Sequence, residues 1–269
     1  MKAKSIIIAL ATALTTACGN NTASNNDFTT DSIAFSEKTK TAEVIVQADF
    51  PKSGNLTTTN IIREYINEEL GGTYGGNITE SDSMLAYYGK AQMAELEKLS
   101  AEFETESAVS MYSSRHVSKI YETNQYITYI SSFESYTGGA HGMHGATYTT
   151  FRKSDGRRFG NEMLTRRDTE EFRALIKDGL KRYFAEDEGK EISDDELKEM
   201  LLTNSGVDYL PLPQYPPCLT EKGMMFVYQP YEIAPYAAGM PHFTVPYDKI
   251  KPFLTVTAIK LIDGKTENE

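Results

Sequence analysis

The first 18 residues constrain this chain most, because they determine the compartment in which it folds. A basic start, Met1 to Lys4, precedes an apolar run from Ile6 to Leu14, and small residues then lead to Cys18. This order is typical of an export signal that a peptidase removes. The apolar run is shorter than the about 20 residues that cross a membrane. We therefore predict a signal peptide over residues 1–17 and a lipid anchor on Cys18.

Removal of the signal leaves residues 18–269, in which no apolar stretch approaches the length of a membrane span. We expect a globule held by its lipid at the bacterial cell envelope, facing the periplasm or the cell surface. The alternative is an ordinary cleaved signal followed by a chance cysteine.

Cysteine content limits the disulfides that the exported part can form, and net charge limits the partners that it can bind. The chain has two cysteines, so lipidation of Cys18 leaves Cys218 without a disulfide partner, and we predict that Cys218 is a small buried residue. The formal charge is −11, and loss of Lys2 and Lys4 with the signal makes it −13. An acidic surface disfavours nucleic acid and favours cationic partners.

Patterning along the chain predicts an α+β fold, with antiparallel sheets packed against several helices. Polar composition after the cysteine favours a flexible tether. Alternating and helical patterns follow, and the end of the chain is polar again. The predicted parts are residues 18–41 for the lipidated cysteine and tether, 42–140 for an N-terminal α+β part, 141–262 for a C-terminal α+β part, and 263–269 for a tail.

The N-terminal part begins with a β-branched strand from Ala42 to Phe50, which we expect Pro51 to stop. Apolar residues at helical spacing then predict two helices. Between residues 108 and 152 the period changes to alternation, which predicts an antiparallel meander of three strands. The predicted helices span residues 60–70 and 83–103, and the predicted strands span 108–117, 125–136 and 146–152.

The C-terminal part begins with two helices whose N-caps we place at Asp168 and Ser193, each followed by glutamate three residues later. The acidic run between them is expected to be a solvated helix face. A hairpin over residues 218–228 and further strands over residues 243–245 and 254–262 complete this part.

One unusual stretch joins two predicted strands, from Tyr136 to Gly145, with the sequence YTGGAHGMHG. Its glycines permit positive φ angles or close backbone approach. Side chains here can reach a ligand, whereas the alternative is a plain turn. Its candidate ligand-binding residues are Tyr136, Gly138, Gly139, His141 and His144.

A second stretch, YQPYEIAPYAAG over residues 228–239, interleaves prolines and tyrosines. Tyrosine combines an apolar face with a polar tip and suits recognition of protein or glycan. The candidates here are Tyr231 and Tyr236, and the alternative is that these rings pack a strand corner.

These two stretches resemble the PdaC/RsiV-like extracytoplasmic domains, whose members carry a Tyr-x-Gly-Gly-Ala-His loop and a Tyr-Glu-Ile-Ala-Pro-Tyr-Ala-x-Gly segment. Here the matching residues are 136–141 and 231–239. The resemblance implies an α+β fold and a noncatalytic accessory or recognition role, because such domains accompany polysaccharide deacetylases and sense lysozyme in anti-sigma factors. It suggests a lysozyme-like cationic protein or a cell-wall glycan as the partner. We expect this chain to differ from those proteins in lacking an attached catalytic domain and a transmembrane helix.

The sequence contains few of the motifs that indicate an enzyme. His141 and His144 supply two imidazoles, and a zinc hydrolase would need a third ligand such as His116, His242 or Glu134. The sequence has no HExxH motif and no Gly-x-Ser-x-Gly nucleophile turn. We therefore predict no catalytic residue, no metal and no cofactor. The alternative is a metal-dependent or carboxylate-based hydrolase of envelope polysaccharide, because spacing along a chain does not report separation in space.

Overall fold

Strands with alternating apolar residues assemble into a six-stranded sheet. The structure, a computed structural model, describes residues 27–102, 110–203 and 206–264; the predicted signal peptide and Cys18 lie outside these ranges. The sheet order is β1-β2-β3-β4-β5-β6, in which β2 is parallel to β3 and all other neighbours are antiparallel. The strands are β1 Thr29–Lys38, β2 Ala42–Ser53, β3 Met111–Glu122, β4 Tyr126–Tyr136, β5 Met143–Arg152 and β6 Arg158–Phe159.

Two helices, α1 Leu56–Leu70 and α2 Ser81–Glu102, cover one face of this sheet. They lie between β2 and β3 in the chain and return it to the end where β2 began, which is why those strands pair in parallel. Every second residue of β2 from Ala42 to Phe50 is buried against them. A Cβ on Gly89 would lie 2.0 Å from the Phe35 ring, so glycine lets α2 approach β1.

A second core lies between α3 Glu170–Glu188 and a three-stranded antiparallel sheet. This small sheet has the order β7-β8-β9, with β7 Cys218–Leu219, β8 Gly223–Val227 and β9 His242–Pro246. A Cβ on Gly179 would lie 2.2 Å from the Phe243 ring, so α3 also packs on its sheet through a glycine. The other helices are α4 Asp194–Met200, α5 Tyr247–Ile250 and α6 Val256–Asp263.

Buried hydroxyls join the two cores across the face of the large sheet that the helices leave free. Thr128 Oγ1 donates to the Leu219 carbonyl at 2.7 Å, and the Leu219 amide donates to Thr150 Oγ1 at 3.0 Å. The two threonine hydroxyls lie 3.0 Å apart. A hydroxyl has one hydrogen, so Thr150 donates to Thr128 and the ring of hydrogen bonds is closed.

Most of the expected elements are confirmed, starting with the α+β class. The meander is β3-β4-β5, the hairpin is β7-β8, and Ser193 forms a capping box with Glu196 at the start of α4. Cys218 is buried, with 1% of its surface exposed.

Four local predictions are wrong. Residues 29–38 form β1 rather than part of a tether, and β2 continues through Pro51, which pairs with Thr30 beside a bulge that accommodates the missing amide hydrogen. The N-cap of α3 is Thr169, not Asp168, because the Thr169 hydroxyl accepts from Phe172 N at 3.3 Å. Residues 256–263 form α6 rather than a strand, because the Thr255 side chain caps a helix there.

The large sheet also continues past residue 140, where the sequence predicts a change from the N-terminal to the C-terminal part. Both β5 and β6 extend the same antiparallel ladder beyond that point. The second core gathers residues from Phe159 onward, together with Tyr126 from β4.

Candidate functional site

The site lies on the sheet face opposite α1 and α2, at the end where the second core no longer covers it. Tyr112 of β3 stands opposite Tyr136 of β4, and Glu134 of β4 stands opposite His144 of β5. Because opposite residues of antiparallel strands share a face, these four side chains project together. The sheet therefore places polar and aromatic groups side by side on an accessible surface.

The loop between β4 and β5 depends on its glycines for two different reasons. Gly138 and Gly139 have φ angles of 99° and 94°, which side-chain-bearing residues rarely adopt. Gly142 is required for space, because a Cβ there would lie 2.7 Å from the Ser135 carbonyl oxygen. Tyr136 closes the loop by donating to the Gly139 carbonyl at 3.0 Å.

The tyrosine-proline segment is anchored to the free edge of β5 by Gln229. The Gln229 side-chain amide donates to the Ala146 carbonyl at 2.8 Å and accepts from its amide at 3.3 Å, as a neighbouring strand would. Glu232 holds the segment by accepting from Gln229 N at 2.7 Å. Tyr228 is fully buried and donates to the Pro211 carbonyl, so it belongs to the core.

The two stretches meet in a cluster of four rings, which we call the aromatic platform: His141, His144, Tyr231 and Tyr236. The His141 ring stacks on Tyr236 with centroids 4.1 Å apart and planes at 21°. The rings of Tyr231 and His144 lie 5.4 Å and 5.2 Å from Tyr236. Tyr236 is therefore the centre of the platform.

The Gly142 carbonyl determines the hydrogen positions in the platform. It accepts from Tyr236 Oη at 2.6 Å and from His141 Nδ1 at 2.8 Å, and a carbonyl can only accept. Tyr236 has used its one hydrogen, so His144 Nδ1 donates to Tyr236 Oη at 3.1 Å. In the neutral ring, His141 Nε2 then accepts from Tyr231 Oη at 3.4 Å. The platform is thus a connected network with defined tautomers.

The phenols of Tyr112, beside the platform, and of Tyr236, at its centre, stay protonated. Partial burial, the hydrogen bond to Glu134 at 2.7 Å and the charge of Glu134 together raise the pKa of Tyr112 to about 12. Burial, with Tyr231 and Glu134 adding to it, also raises the pKa of Tyr236. These hydroxyls therefore act as neutral hydrogen-bond donors near one exposed carboxylate.

One serine and one histidine on the same face are in hydrogen-bond contact, Ser114 Oγ and His116 Nε2, at 2.6 Å. Burial lowers the pKa of His116, and the charge of Glu134 opposes that shift. The Glu134 carboxylate is bonded to Tyr112, and no described contact links it to the His116 ring. This arrangement is not an assembled serine–histidine–acid triad.

The predicted residues are only partly brought together. His141, His144, Tyr231 and Tyr236 meet in the platform, whereas Tyr136 stacks beside it on Tyr112, with centroids 6.4 Å apart. Tyr112, Gln229 and the contribution of Glu134 to this face were not predicted from the sequence. Glu134 lies two residues before Tyr136 in one strand, so period-two alternation was the available signal for it.

Three further properties concern the described ranges. They contain no group of three or more His, Cys, Asp or Glu side chains placed to hold a metal ion, and no helix there is long and apolar enough to cross a membrane. Burial raises the pKa of the Cys218 thiol to about 12, so this thiol stays protonated and unreactive.

Comparison with known proteins finds a family match over part of the chain and similar folds, but no activity. Residues 165–248 match a family described as "Protein of unknown function (DUF3298)". The chain is similar in fold to a DUF3298 family member from Bacteroides fragilis, with a TM-score of 0.65, 20% identity, and coverage of 91% of this chain and 99% of that one. A DUF3298 family protein from Pseudomonas aeruginosa has a TM-score of 0.61, 15% identity, and coverage of 87% and 97%. No curated protein matches the chain.

Proposed function

We propose that this protein is a lipid-anchored module of the bacterial cell envelope that recognises a partner without transforming it. The aromatic platform is the observation that carries this proposal. The two stretches that resemble PdaC/RsiV-like domains are distant in sequence, yet the rings of His141 and His144 lie 4.1 Å and 5.2 Å from the ring of Tyr236. A role in recognition explains why the rings meet on an accessible face rather than in a core.

Tyr231 supports recognition because its conformation has a cost that burial does not offset. Its φ angle is 65°, in the left-handed region, and 57% of its surface is exposed. That conformation costs a residue with a Cβ roughly 1–2 kcal/mol. Backbone strain of this kind clusters at functional sites, where a side chain must be presented in one orientation.

The polar atoms of the platform favour binding over catalysis. Tyr236, His141 and His144 are tied to one another or to the Gly142 carbonyl. Groups held in this way keep the rings in fixed positions, and the side chains of His141 and Tyr231 remain exposed. Such a preorganised aromatic surface loses little side-chain freedom when it binds.

A cationic protein is the partner that the charge distribution suits best, with a lysozyme-like protein as the first candidate and a cell-wall glycan as the second. Glu134 is exposed beside the platform, and the chain has a formal charge of −11. Lysine or arginine over an exposed tyrosine face contributes roughly 0.5–1 kcal/mol. The resemblance to lysozyme sensors points to the same class of partner.

Binding of the processed chain in nanodiscs to immobilised lysozyme and to peptidoglycan fragments tests the proposal. We expect Tyr231→Ala to increase dissociation of the bound partner about tenfold or more, since exposed aromatic anchors act mainly on the dissociation rate. Tyr209→Ala is the matched control, because Tyr209 is 65% exposed and lies beside Arg173, away from the platform. Absence of saturable binding to both probes, or equal losses in the two variants, would contradict the proposal.

Charge-reversal variants distinguish long-range electrostatic attraction, which speeds association, from direct contact in the complex, which slows dissociation. We expect the triple change of Asp187, Glu188 and Glu191 to lysine to slow association and flatten its salt dependence, with little effect on dissociation. Tyr136→Ala should instead mainly speed dissociation, because this ring lies beside the platform.

The membrane anchor has its own test. We expect metabolic labelling to place fatty acid on the wild-type chain, and Cys18→Ala to release the protein or leave it unprocessed. A wild-type chain without fatty acid would exclude the anchor and leave recognition at the platform to be judged separately.

A further inference from the structure

A second concave site lies on the helix-covered face of the large sheet, beyond the end of α1. It is a cleft of about 190 Å3, and we call it the Arg115 cleft. Its floor comes from residues that alternate with those of the platform face: Arg115, Val117, Ser131, Phe133 and Thr147. Leu70, the last residue of α1, forms one wall, and Tyr215 and Gln229 border it at the edge of β5.

The cleft contains a cation without a partner. In the described ranges the Arg115 side chain makes no hydrogen bond and no ion pair, although ten other lysines and arginines there form salt bridges. The Arg115 guanidinium therefore keeps all its hydrogen-bond donors available to a ligand. A guanidinium in a half-buried cleft is well suited to bind a carboxylate through two parallel hydrogen bonds.

The Glu69 carboxylate also lines the cleft, but it is bonded to Thr147 and not to Arg115. Glu69 Oε2 accepts from Thr147 Oγ1 at 3.3 Å, and it makes no ion pair with Arg115. Thr147 of β5 lies two strands away from β3, or about 10 Å across the sheet. The cleft therefore presents a positive group and a negative group that do not neutralise each other.

Aromatic surface lies between these charges. Phe133 is 39% exposed and Tyr215 is 40% exposed. A Cβ on Gly145 would lie 2.7 Å from Phe133 Cε1, so glycine at this position lets the ring lie across β5. Glycine at position 145 thus serves the cleft, although it belongs to the same unusual stretch as the platform loop.

We propose that the Arg115 cleft binds a zwitterion of amino-acid size, with the ligand carboxylate on Arg115, its ammonium group on Glu69 and an apolar side chain against Phe133. The volume is below the roughly 300–1,000 Å3 of sites for drug-sized molecules, which fits a ligand of this size. The cleft shares no residue with the platform, so this inference does not depend on the proposed recognition function.

Titration of the full processed chain with leucine, followed by amide NMR, tests the inference. We expect saturable shifts at residues 115, 131, 133 and 147. Isocaproate, which lacks the ammonium group, and isoamylamine, which lacks the carboxylate, should each bind at least about tenfold more weakly, as loss of a charge-assisted hydrogen bond predicts. Both enantiomers of leucine are titrated, because the proposal does not specify the handedness of the ligand.

Two variants test which charged group of the ligand Arg115 and Glu69 each bind. Arg115→Gln should weaken leucine at least about tenfold and abolish its advantage over isoamylamine, whereas Glu69→Gln should abolish its advantage over isocaproate. Arg167→Gln, which removes an exposed arginine from a different cleft, is the matched control and should leave leucine binding unchanged. Amide spectra establish that each variant is folded.

Three outcomes would overturn the inference: no saturable shift with either enantiomer, equal binding by all three compounds, or equal losses in the Arg115 and Arg167 variants. Tyr231→Ala distinguishes this site from the platform. It should leave leucine binding intact even if it abolishes binding to the macromolecular partner.

Discussion

The two ends of the sheet face opposite α1 and α2 have similar polar patterns but different surroundings. At the sealed end, which we define by Thr128 and Thr150, the side chains are 0% exposed and bonded to Leu219 of β7. At the open end, defined by Tyr112, Glu134 and His144, the aromatic platform contacts His144 and the Glu134 side chain is exposed. Polar residues on a sheet face thus become structural where a second layer packs on them and accessible where that layer ends.

The difference in surroundings changes what each hydrogen bond contributes. At the sealed end, a donor or acceptor that loses its partner has no water to replace it, so the full desolvation cost is felt. At the open end, water can substitute for a lost partner, so the same change costs less. We expect stability to depend on the sealed end and ring positions to depend on the open end.

The largest effect is expected from Thr150→Val. This change keeps the shape of the side chain but leaves the buried Leu219 amide without an acceptor. It should lower the free energy of unfolding by about 1–3 kcal/mol, measured by urea denaturation. Thr30→Val on the edge strand β1 is the control and should stay within about 0.5 kcal/mol. Equal effects in the two variants would show that the hydroxyl ring does not hold the layers together.

Gly142→Ala should have the next largest effect, and it tests the loop rather than the layers. The new Cβ would lie 2.7 Å from a backbone oxygen that cannot turn away, so the loop has to move. We expect a loss of about 1–3 kcal/mol in stability, as for an overpacked site. Ring contacts between His141 and Tyr236 should disappear from NMR spectra. Gly75→Ala, where a Cβ meets nothing within 4 Å, should preserve both properties.

Tyr236→Phe should cost less, because water reaches the open end. The hydroxyl links His144 to the Gly142 carbonyl, and its loss should lower the free energy of unfolding by about 0.5–1.5 kcal/mol. Nitrogen NMR of the imidazoles should then show His144 as a mixture of tautomers, because the acceptor of its Nδ1 hydrogen is gone. An unchanged single tautomer would mean that Tyr236 does not determine the tautomer of His144.

The smallest effect concerns pH and His116. Because burial lowers the pKa of His116, the folded chain binds this proton more weakly than the unfolded chain does. Stability should therefore fall as the pH drops below the ordinary value of about 6.5, and this decrease should end below the lowered folded pKa. His116→Gln should remove that slope from urea midpoints measured across this window. A slope unchanged in the variant would assign it to other groups.

Sequence patterns predicted elements well where local chemistry decides the structure. The capping box at Ser193 and the meander β3-β4-β5 are examples, since caps and alternation act within a few residues. The pattern failed over residues 254–262, where apolar residues suited either a strand or a helix and the Thr255 cap decided the outcome. The parallel pairing of β2 with β3 was also missed, because it depends on where two helices return the chain.

The sequence by itself determined which residues of the site are unusual: a loop rich in glycine and histidine and a segment rich in tyrosine and proline. Only the tertiary structure decided that these residues meet, because His144 and Tyr236 are 92 positions apart and no local pattern records a contact of that range. It also gave the glycines different roles, since the φ angle decides at Gly138 and available space decides at Gly142. The φ angle of a glycine and the space around it both depend on how the chain packs. The sequence alone therefore does not tell which of the two requires glycine at a given position.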